Sequence, residues 1–349
     1  MPGTHFPGTA LPIIQAPMAG VQGSALAIAV CNAGGLGSLP CAMLGQDALA
    51  AELRAITAGT GKPYNVNFFC HRSPEPNPQA EARWRSALAP FYRELGIAAP
   101  DAPRAGGRQP FSHAAADVLE AFEPAVVSFH FGLPAPDLLA RVRRWGAQVI
   151  ATATTVAEAR WLAERGVDAI IAQGLEAGGH RGHFLDPGLA GQTDTTTLLR
   201  QIVAAVGVPV IASGGIAEHA DVSAALQAGA ASVQVGTAYL LCPEATTSTV
   251  HRAAISAPEQ ANTALTNLFS GRLARGICNR LMRELGPVST MAPEFPLAAT
   301  AIAPLRAGFE ARGSGDCSPL WAGERFRQCR AIPAAQLTRE LAGAPLPLP

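Results

Sequence analysis

Short apolar runs alternate with alanine-rich segments of helical period along most of this chain. The runs fall at residues 11–16, 36–40, 64–69, 125–129, 148–152, 169–173, 209–213 and 232–236. They have the length and the branched-residue content of strands buried on both faces of a parallel sheet. Between them, apolar positions at helical spacing predict helices at 24–32, 47–58, 136–145, 155–165, 196–206 and 218–228. Eight strands with intervening helices predict an α/β fold of the (β/α)8 TIM-barrel type, with branched side chains inside and a site at the C-terminal strand ends. The competing doubly wound sheet lacks its first-strand GxGxxG fingerprint. Gly20 and Gly23 follow the first run, and no third glycine stands at the required spacing.

Two stretches break the repeat. Residues 72–112 hold prolines at 74, 76, 78, 90, 100, 103 and 110 around a helical segment, and read as an insertion after the third strand. Residues 244–319 are too long for one crossover and predict a helical appendage, with candidate helices at 246–257, 258–268 and 275–285. A closing helix is expected at 334–341. The division this implies is a barrel of 1–243 plus 320–349 and a helical domain of 244–319. That domain is expected to shape the substrate entrance, with pure packing as the alternative.

Composition narrows the class. Lysine plus arginine equals aspartate plus glutamate at 26 each, so no basic excess points to nucleic acid or an anionic membrane. Hydrophobic residues are 48% and charged residues 15%, as in a compact α/β enzyme. No charged leader precedes an apolar segment, and the apolar stretch 25–31 is far short of the ~20 residues that span a bilayer. Seven cysteines without CxxC spacing argue against a disulfide framework or structural zinc and suit a reducing cytoplasm, the expected location. No histidine–carboxylate spacing suggests a metal. The one lysine, Lys62, precedes a strand rather than ending one, which removes Schiff-base chemistry.

The densest chemistry follows the sixth run, in QGLEAGGHRG. Gln173, Glu176, Gly178, Gly179, His180 and Arg181 fall within nine residues. Paired glycines let the backbone approach a flat ligand, and a histidine beside them can move a proton near neutral pH. After the seventh run come Ser213, Gly214 and Gly215. At the eighth stand Gln234, Val235, Gly236 and Thr237. Loops after these two strands of a (β/α)8 barrel commonly bind phosphate through free amides. Met18, in QAPMAG, suits an aromatic ring face. Asn65 and Asn67 share parity on the third strand, and their amides, like that of Gln173, can satisfy the edge of a heterocycle. For Asn65, backbone capping is an equal alternative. Phosphate plus an amide-edged ring describes FMN.

In this order, QAPMAG, NVNFFCH, SFHFG, AQGLEAGGHRG, ASGGI and QVGTAYL resemble the class I nitronate monooxygenases, formerly 2-nitropropane dioxygenases. The resemblance runs from about residue 11 to 241, with a weaker echo at SPLWAG (318–323), after which Glu324-Arg325-Phe326 departs from a more glycine-rich pattern. It implies an FMN-dependent barrel with a helical second domain that oxidises alkyl nitronates with molecular oxygen. It also implies His180 as the catalytic residue. FMN contacts are implied for Met18, Asn67, Gln173, Gly178, Gly179, Gly215 and Gln234 through Thr237.

Of the eight histidines, His130 follows the fourth run and is expected at the barrel mouth, touching the substrate anion or serving structure. Arg181 is expected to attract the anion or to brace the loop through Glu176 or Asp186. His183 is expected to be exposed, and His5, His219 and His251 to lie at surface or capping positions. Two other functions remain open. One is an FMN-dependent NAD(P)H:quinone or enoyl-thioester reductase; the other is a non-redox barrel for a phosphorylated metabolite. The expected partners are a small nitronate and oxygen, with self-association into a homo-oligomer left open.

Overall fold

A computed structural model describes residues 6–75, 77–100, 108–256 and 261–345. Chain order begins β1 (Ile13–Gln15), α1 (Ser24–Ala33), β2 (Gly37–Pro40), α2 (Gln46–Gly59), β3 (Tyr64–Phe69), α3 (Pro78–Leu95) and α4 (His113–Glu120). It continues with β4 (Val126–His130), α5 (Pro136–Arg144), β5 (Gln148–Ala153), α6 (Val156–Glu164), β6 (Ala169–Gln173), β7 (Gly179–His180), α7 (Thr195–Ala205), β8 (Val210–Ser213), α8 (His219–Gln227) and β9 (Ser232–Val235). Beyond these lie α9 (Thr249–Ile255), β10 (Thr263–Thr266), β11 (Ala274–Ile277), α10 (Arg280–Leu285), α11 (Ala298–Ala311) and α12 (Ala334–Leu341).

Eight strands run parallel in the order β1-β9-β8-β6-β5-β4-β3-β2. The ring closes where Leu36 N–H donates to the Ile13 carbonyl and Gln15 N–H to the Leu36 carbonyl, both at 2.9 Å. The expected TIM barrel is therefore observed, and each expected barrel helix is present to within a residue or so at its ends. Thr155, for example, caps α6 instead of starting it: its backbone is extended and its side chain accepts from Glu158 N–H.

Strand alternation decides what faces the barrel axis. Ile14, Leu36, Val126, Ile150, Ala169, Ile171 and Ile211 form an apolar floor, with Phe6 packed against it. Their neighbours Ile13, Val127, Val149, Ile170 and Val233 point outward into the core under the helices. Above the floor the inward positions turn polar. Ser38, Asn65 and Ser128 are fully buried, and Asn65 Nδ2 donates to Ser38 Oγ at 2.9 Å. Asn65 therefore serves the barrel interior. Asn67, two residues on, reaches the mouth.

The two departures from the repeat pack together. Trp84, Leu88 and Phe91 of α3 join Leu281, Leu305 and Phe309 in a second core. Trp84 Nε1 donates to the Ala298 carbonyl at 3.2 Å, and Tyr92 Oη to that of Ala301 at 2.6 Å. The segment after residue 244 is not wholly helical, which corrects the expectation. Of the helix expected at 258–268, residues 258–260 lie outside the described residues and Thr263–Thr266 is strand. The helix expected at 275–285 is strand through Ile277 and helix only from Arg280. Sheet pairing overrides the helical period here: β10 pairs antiparallel with β11, and β11 with the two-residue β7.

Candidate active site

The C-terminal strand ends surround one large cavity, with about 1390 Å³ of empty space counting its solvent-open part. Met18, Asn67, His130, Gln173, Gly178, Gly179, His180, Ser213, Gly214, Gly215, Gln234, Val235, Gly236 and Thr237 all line it. Strand parity brings these distant residues to one mouth, because His130, Gln173, Ser213 and Gln234 occupy the last inward positions of their strands and Asn67 the last but one.

The glycine-rich loop is fixed from both sides. Gln173 Nε2 donates to the His180 carbonyl (2.9 Å), while Gln173 Oε1 accepts from Gly182 N–H (2.8 Å). On the other side, β11 pairs with Gly179 and His180. A side chain at Gly178 would meet the backbone of Ala322 and Gly323 within 2.5–3.0 Å, so the C-terminal segment closes on the loop. Gly179 has φ +73°, and the space where its side chain would stand is open. Beyond it Gly323 N–H donates to Thr237 Oγ1 (2.9 Å), while Arg325 pairs with Glu218 and Asp221. The divergent Glu324-Arg325-Phe326 stretch thus packs beside the eighth-strand turn.

His180 Nε2 lies 2.8 Å from Ser270 Oγ, which lies 3.3 Å from the Arg272 carbonyl. When the Ser270 hydroxyl donates to that carbonyl, its oxygen accepts from His180 Nε2–H and the lone pair sits on Nδ1. The ring is walled by Phe295 and Trp321 at 5.4 Å and by Phe131 and Phe69 slightly farther out. Burial, then the nearby Arg108, His130 and Arg272, hold its pKa well below the ordinary imidazole value. His180 is therefore neutral at pH 7 and free to accept a proton.

His130 is committed on both nitrogens. Its Nε2 faces the His180 carbonyl at 3.2 Å, and a carbonyl can only accept, so Nε2 carries the proton and Nδ1 accepts from Thr152 Oγ1 at 3.1 Å. Burial pushes its pKa down to about 3. His130 therefore positions the His180 backbone, the structural one of its two expected roles, and no ring nitrogen remains for a substrate contact.

Arg181 is also corrected. It is 0% exposed and absent from the cavity wall. Its guanidinium donates to the carbonyls of Gln173 (2.7 Å) and Gly174 (2.5 Å) and to Gln192 Oε1 (3.0 Å). It braces the loop through carbonyls. Glu176 accepts instead from the N–H and hydroxyl of Thr195. His183 is buried, at 4% exposure, as is His251 at 3%, which lines the cavity, so neither is a surface residue. His219 contacts the Leu341 carbonyl at 3.0 Å; His5 lies outside the described residues.

Residues that no strand-end motif pointed to also line the wall: Arg108, His251 and Trp321. Trp321 sits in the SPLWAG echo, which was a signal. Arg108 follows the proline-rich insertion and carried none. Among the described residues no group of three or more His, Cys, Asp or Glu is placed to hold a metal, and no helix is long and apolar enough to cross a membrane.

Comparison with known proteins agrees with this geometry. The family profile described as nitronate monooxygenase matches residues 3–343. A nitronate monooxygenase of Pseudomonas aeruginosa is 40% identical over 341 residues, covering 97% of each chain. One from Paraburkholderia phytofirmans is 40% identical over 337 residues, covering 95% of this chain and 91% of its own. The solved structure of a nitroalkane oxidase from Streptomyces ansochromogenes superposes with a TM-score of 0.88 at 39% identity. It covers 96% of this chain and 95% of that one.

Proposed function

Because this chain belongs to the nitronate monooxygenase family, a group of flavin-dependent oxidoreductases, we propose that it oxidises alkyl nitronates with molecular oxygen on bound FMN, with His180 as base for neutral nitroalkanes. The observation that carries the reading is that a phosphate cradle and a neutral, aromatic-walled histidine line the same cavity.

The residues present suit FMN. Gly214 and Gly215 have φ of +122° and +67°, a turn that presents backbone amides, and the N–H groups of Gly215 and Gly236 have no acceptor among the described residues. Gln234 Oε1 is buried without a partner and awaits a donor. Met18, Asn67, Gln173, Gly178, Gly179, Ser213 and Val235 through Thr237 would complete the holding set. Held there, FMN would supply the electron transfer from nitronate to oxygen.

The chain's own residues do the rest. His180 accepts the α-proton of a neutral nitroalkane on the nitrogen turned from Ser270, while a preformed nitronate has no such proton to give. Phe69, Phe131, Phe295 and Trp321 exclude water around it. The segment 244–319 contributes Phe295 and Ser270 to these surroundings, which supports an entrance-shaping role for it beside a barrel of 1–243 and 320–349. Seven unpaired cysteines suit a cytoplasmic location.

Two measurements test the reading. Denaturing the protein should release noncovalent FMN; FAD, a covalently retained flavin or no chromophore would contradict it, the last favouring a non-redox barrel. In anaerobic rapid mixing an alkyl nitronate should bleach the flavin far faster than NADH or NADPH. Rapid bleaching by a nicotinamide alone would make the protein a reductase.

A further inference from the structure

We propose that Arg108 is the anion anchor of this cavity, the side chain that captures the paired oxygens of a nitronate and holds them beside His180. The proposal rests on the functional reading above and assigns the substrate-anion contact to a residue outside every strand-end motif.

Arg108 lines the cavity, and its guanidinium carbon lies 5.8 Å from the Phe295 ring centroid. Phe295 in turn stands 5.4 Å from the His180 ring, so cation, aromatic face and imidazole are neighbours. The segment is tied to the barrel mouth where Phe111 N–H donates to the Phe69 carbonyl at the end of β3 (2.8 Å).

What sets Arg108 apart is its lack of a counter-ion. Arg325, the other arginine in the wall, is paired with Glu218 and Asp221, and Arg181 is consumed by three acceptors. Among the described residues no carboxylate lies within ion-pair distance of Arg108, and its guanidinium donates no hydrogen bond. Nearby Arg272 adds a second cation: it stacks 4.1 Å over Phe131, reaches the His183 carbonyl, and leaves a buried Nε without a partner. A desolvated cation without a partner is electrostatically incomplete, and a planar anion with two oxygens matches the fork of a guanidinium.

Position excludes the phosphate as the intended anion. In the ring, β3 and β4 stand across the mouth from β8 and β9, which carry the phosphate cradle. Arg108 is tied to the β3 side and contacts Phe295 near His180. The cavity thus offers amide donors at one end and a free guanidinium at the other, with the imidazole on the guanidinium side.

The test uses the intact protein with Arg108→Gln and, to keep the charge, Arg108→Lys. Sodium nitrate, a planar inert anion with the same paired-oxygen edge, is titrated by calorimetry. Wild type should bind it, Arg108→Gln should bind about 10-fold more weakly or worse, and Arg108→Lys should fall between. In turnover, Arg108→Gln should raise KM for ethyl nitronate about 10- to 100-fold, while the loss for nitroethane, which carries no full charge until His180 takes its proton, should be smaller. Equal nitrate affinity in wild type and Arg108→Gln overturns the proposal, as do equal losses for both substrates. If Arg108→Gln fails to fold, a folded Arg108→Lys with wild-type nitrate affinity and wild-type KM for both substrates, its point charge in place of a fork, also overturns it. If wild type binds nitrate through Arg108 but turns over no nitronate, the functional reading fails and the anion site stands.

Discussion

At the scale of single residues, His180 and His130 show how two imidazoles lining one cavity take opposite roles. His130 has spent both nitrogens on Thr152 and the His180 carbonyl, whereas His180 has spent one on Ser270. Only the second can exchange a proton with a substrate. Replacing His180 with Asn retains a polar contact and removes the basic nitrogen. Oxidation of neutral nitroethane should then fall by about 10²-fold or more, the usual reach of general-base catalysis, and oxidation of ethyl nitronate by much less. Steady-state rates normalised to bound flavin decide it; equal losses on both substrates would give His180 an electrostatic role instead. The proximity of His180 to a strand end was legible in the sequence. The fate of Arg181 was not, because nothing in GGHRG reveals that the β6 carbonyls lie within reach of a folded-back guanidinium.

Among elements, the barrel was readable because each buried strand announces itself as a short branched run. The pairing of β7 with β11 was hidden for the converse reason. A two-residue strand of glycine and histidine has no period, and β10 and β11 mix threonine, alanine, arginine and glycine without a clear alternation. Their strand state comes from pairing alone. The loop this pairing fixes makes a sharp demand on its two glycines. Gly178→Ala would press a methyl group into the Ala322–Gly323 backbone and should cost about 1–3 kcal/mol, the range for overpacking. Gly179→Ala meets open space and bears only left-handed backbone strain, about 1–2 kcal/mol. Urea midpoints should therefore rank wild type, Gly179→Ala, Gly178→Ala, with flavin retention falling in the same order. A Gly178→Ala protein as stable as wild type would show that the C-terminal segment does not close on this loop.

For the whole molecule, five histidines in or near the site have depressed pKa values: the buried His71, His183 and His251 at about 4, and the half-buried His130 at about 3 and His180 well below its ordinary value. In each case burial is the largest cause. The folded state binds fewer protons than the unfolded chain once pH drops below about 6.5, so stability is full above that value and falls as pH decreases toward 4. Each histidine steepens the fall by about 1.4 kcal/mol per pH unit. Denaturant midpoints measured from pH 7.5 down to 5 should drop increasingly steeply; a flat profile over that span would mean these rings are protonated in the folded protein.

The clasp between β7 and β11 has a temporal consequence. Residues 179–180 bond to 274–275, and Gly276 bridges to Trp321, so the wall around the imidazole is stitched from three segments far apart in the sequence. Contacts of such long sequence separation form late, after loop closure has been overcome. Strands near in sequence, such as β5 and β6, can pair while this wall is still unmade. During refolding, recovery of catalytic turnover should therefore trail the pairing of neighbouring strands, and a probe that reports that pairing should recover before activity does.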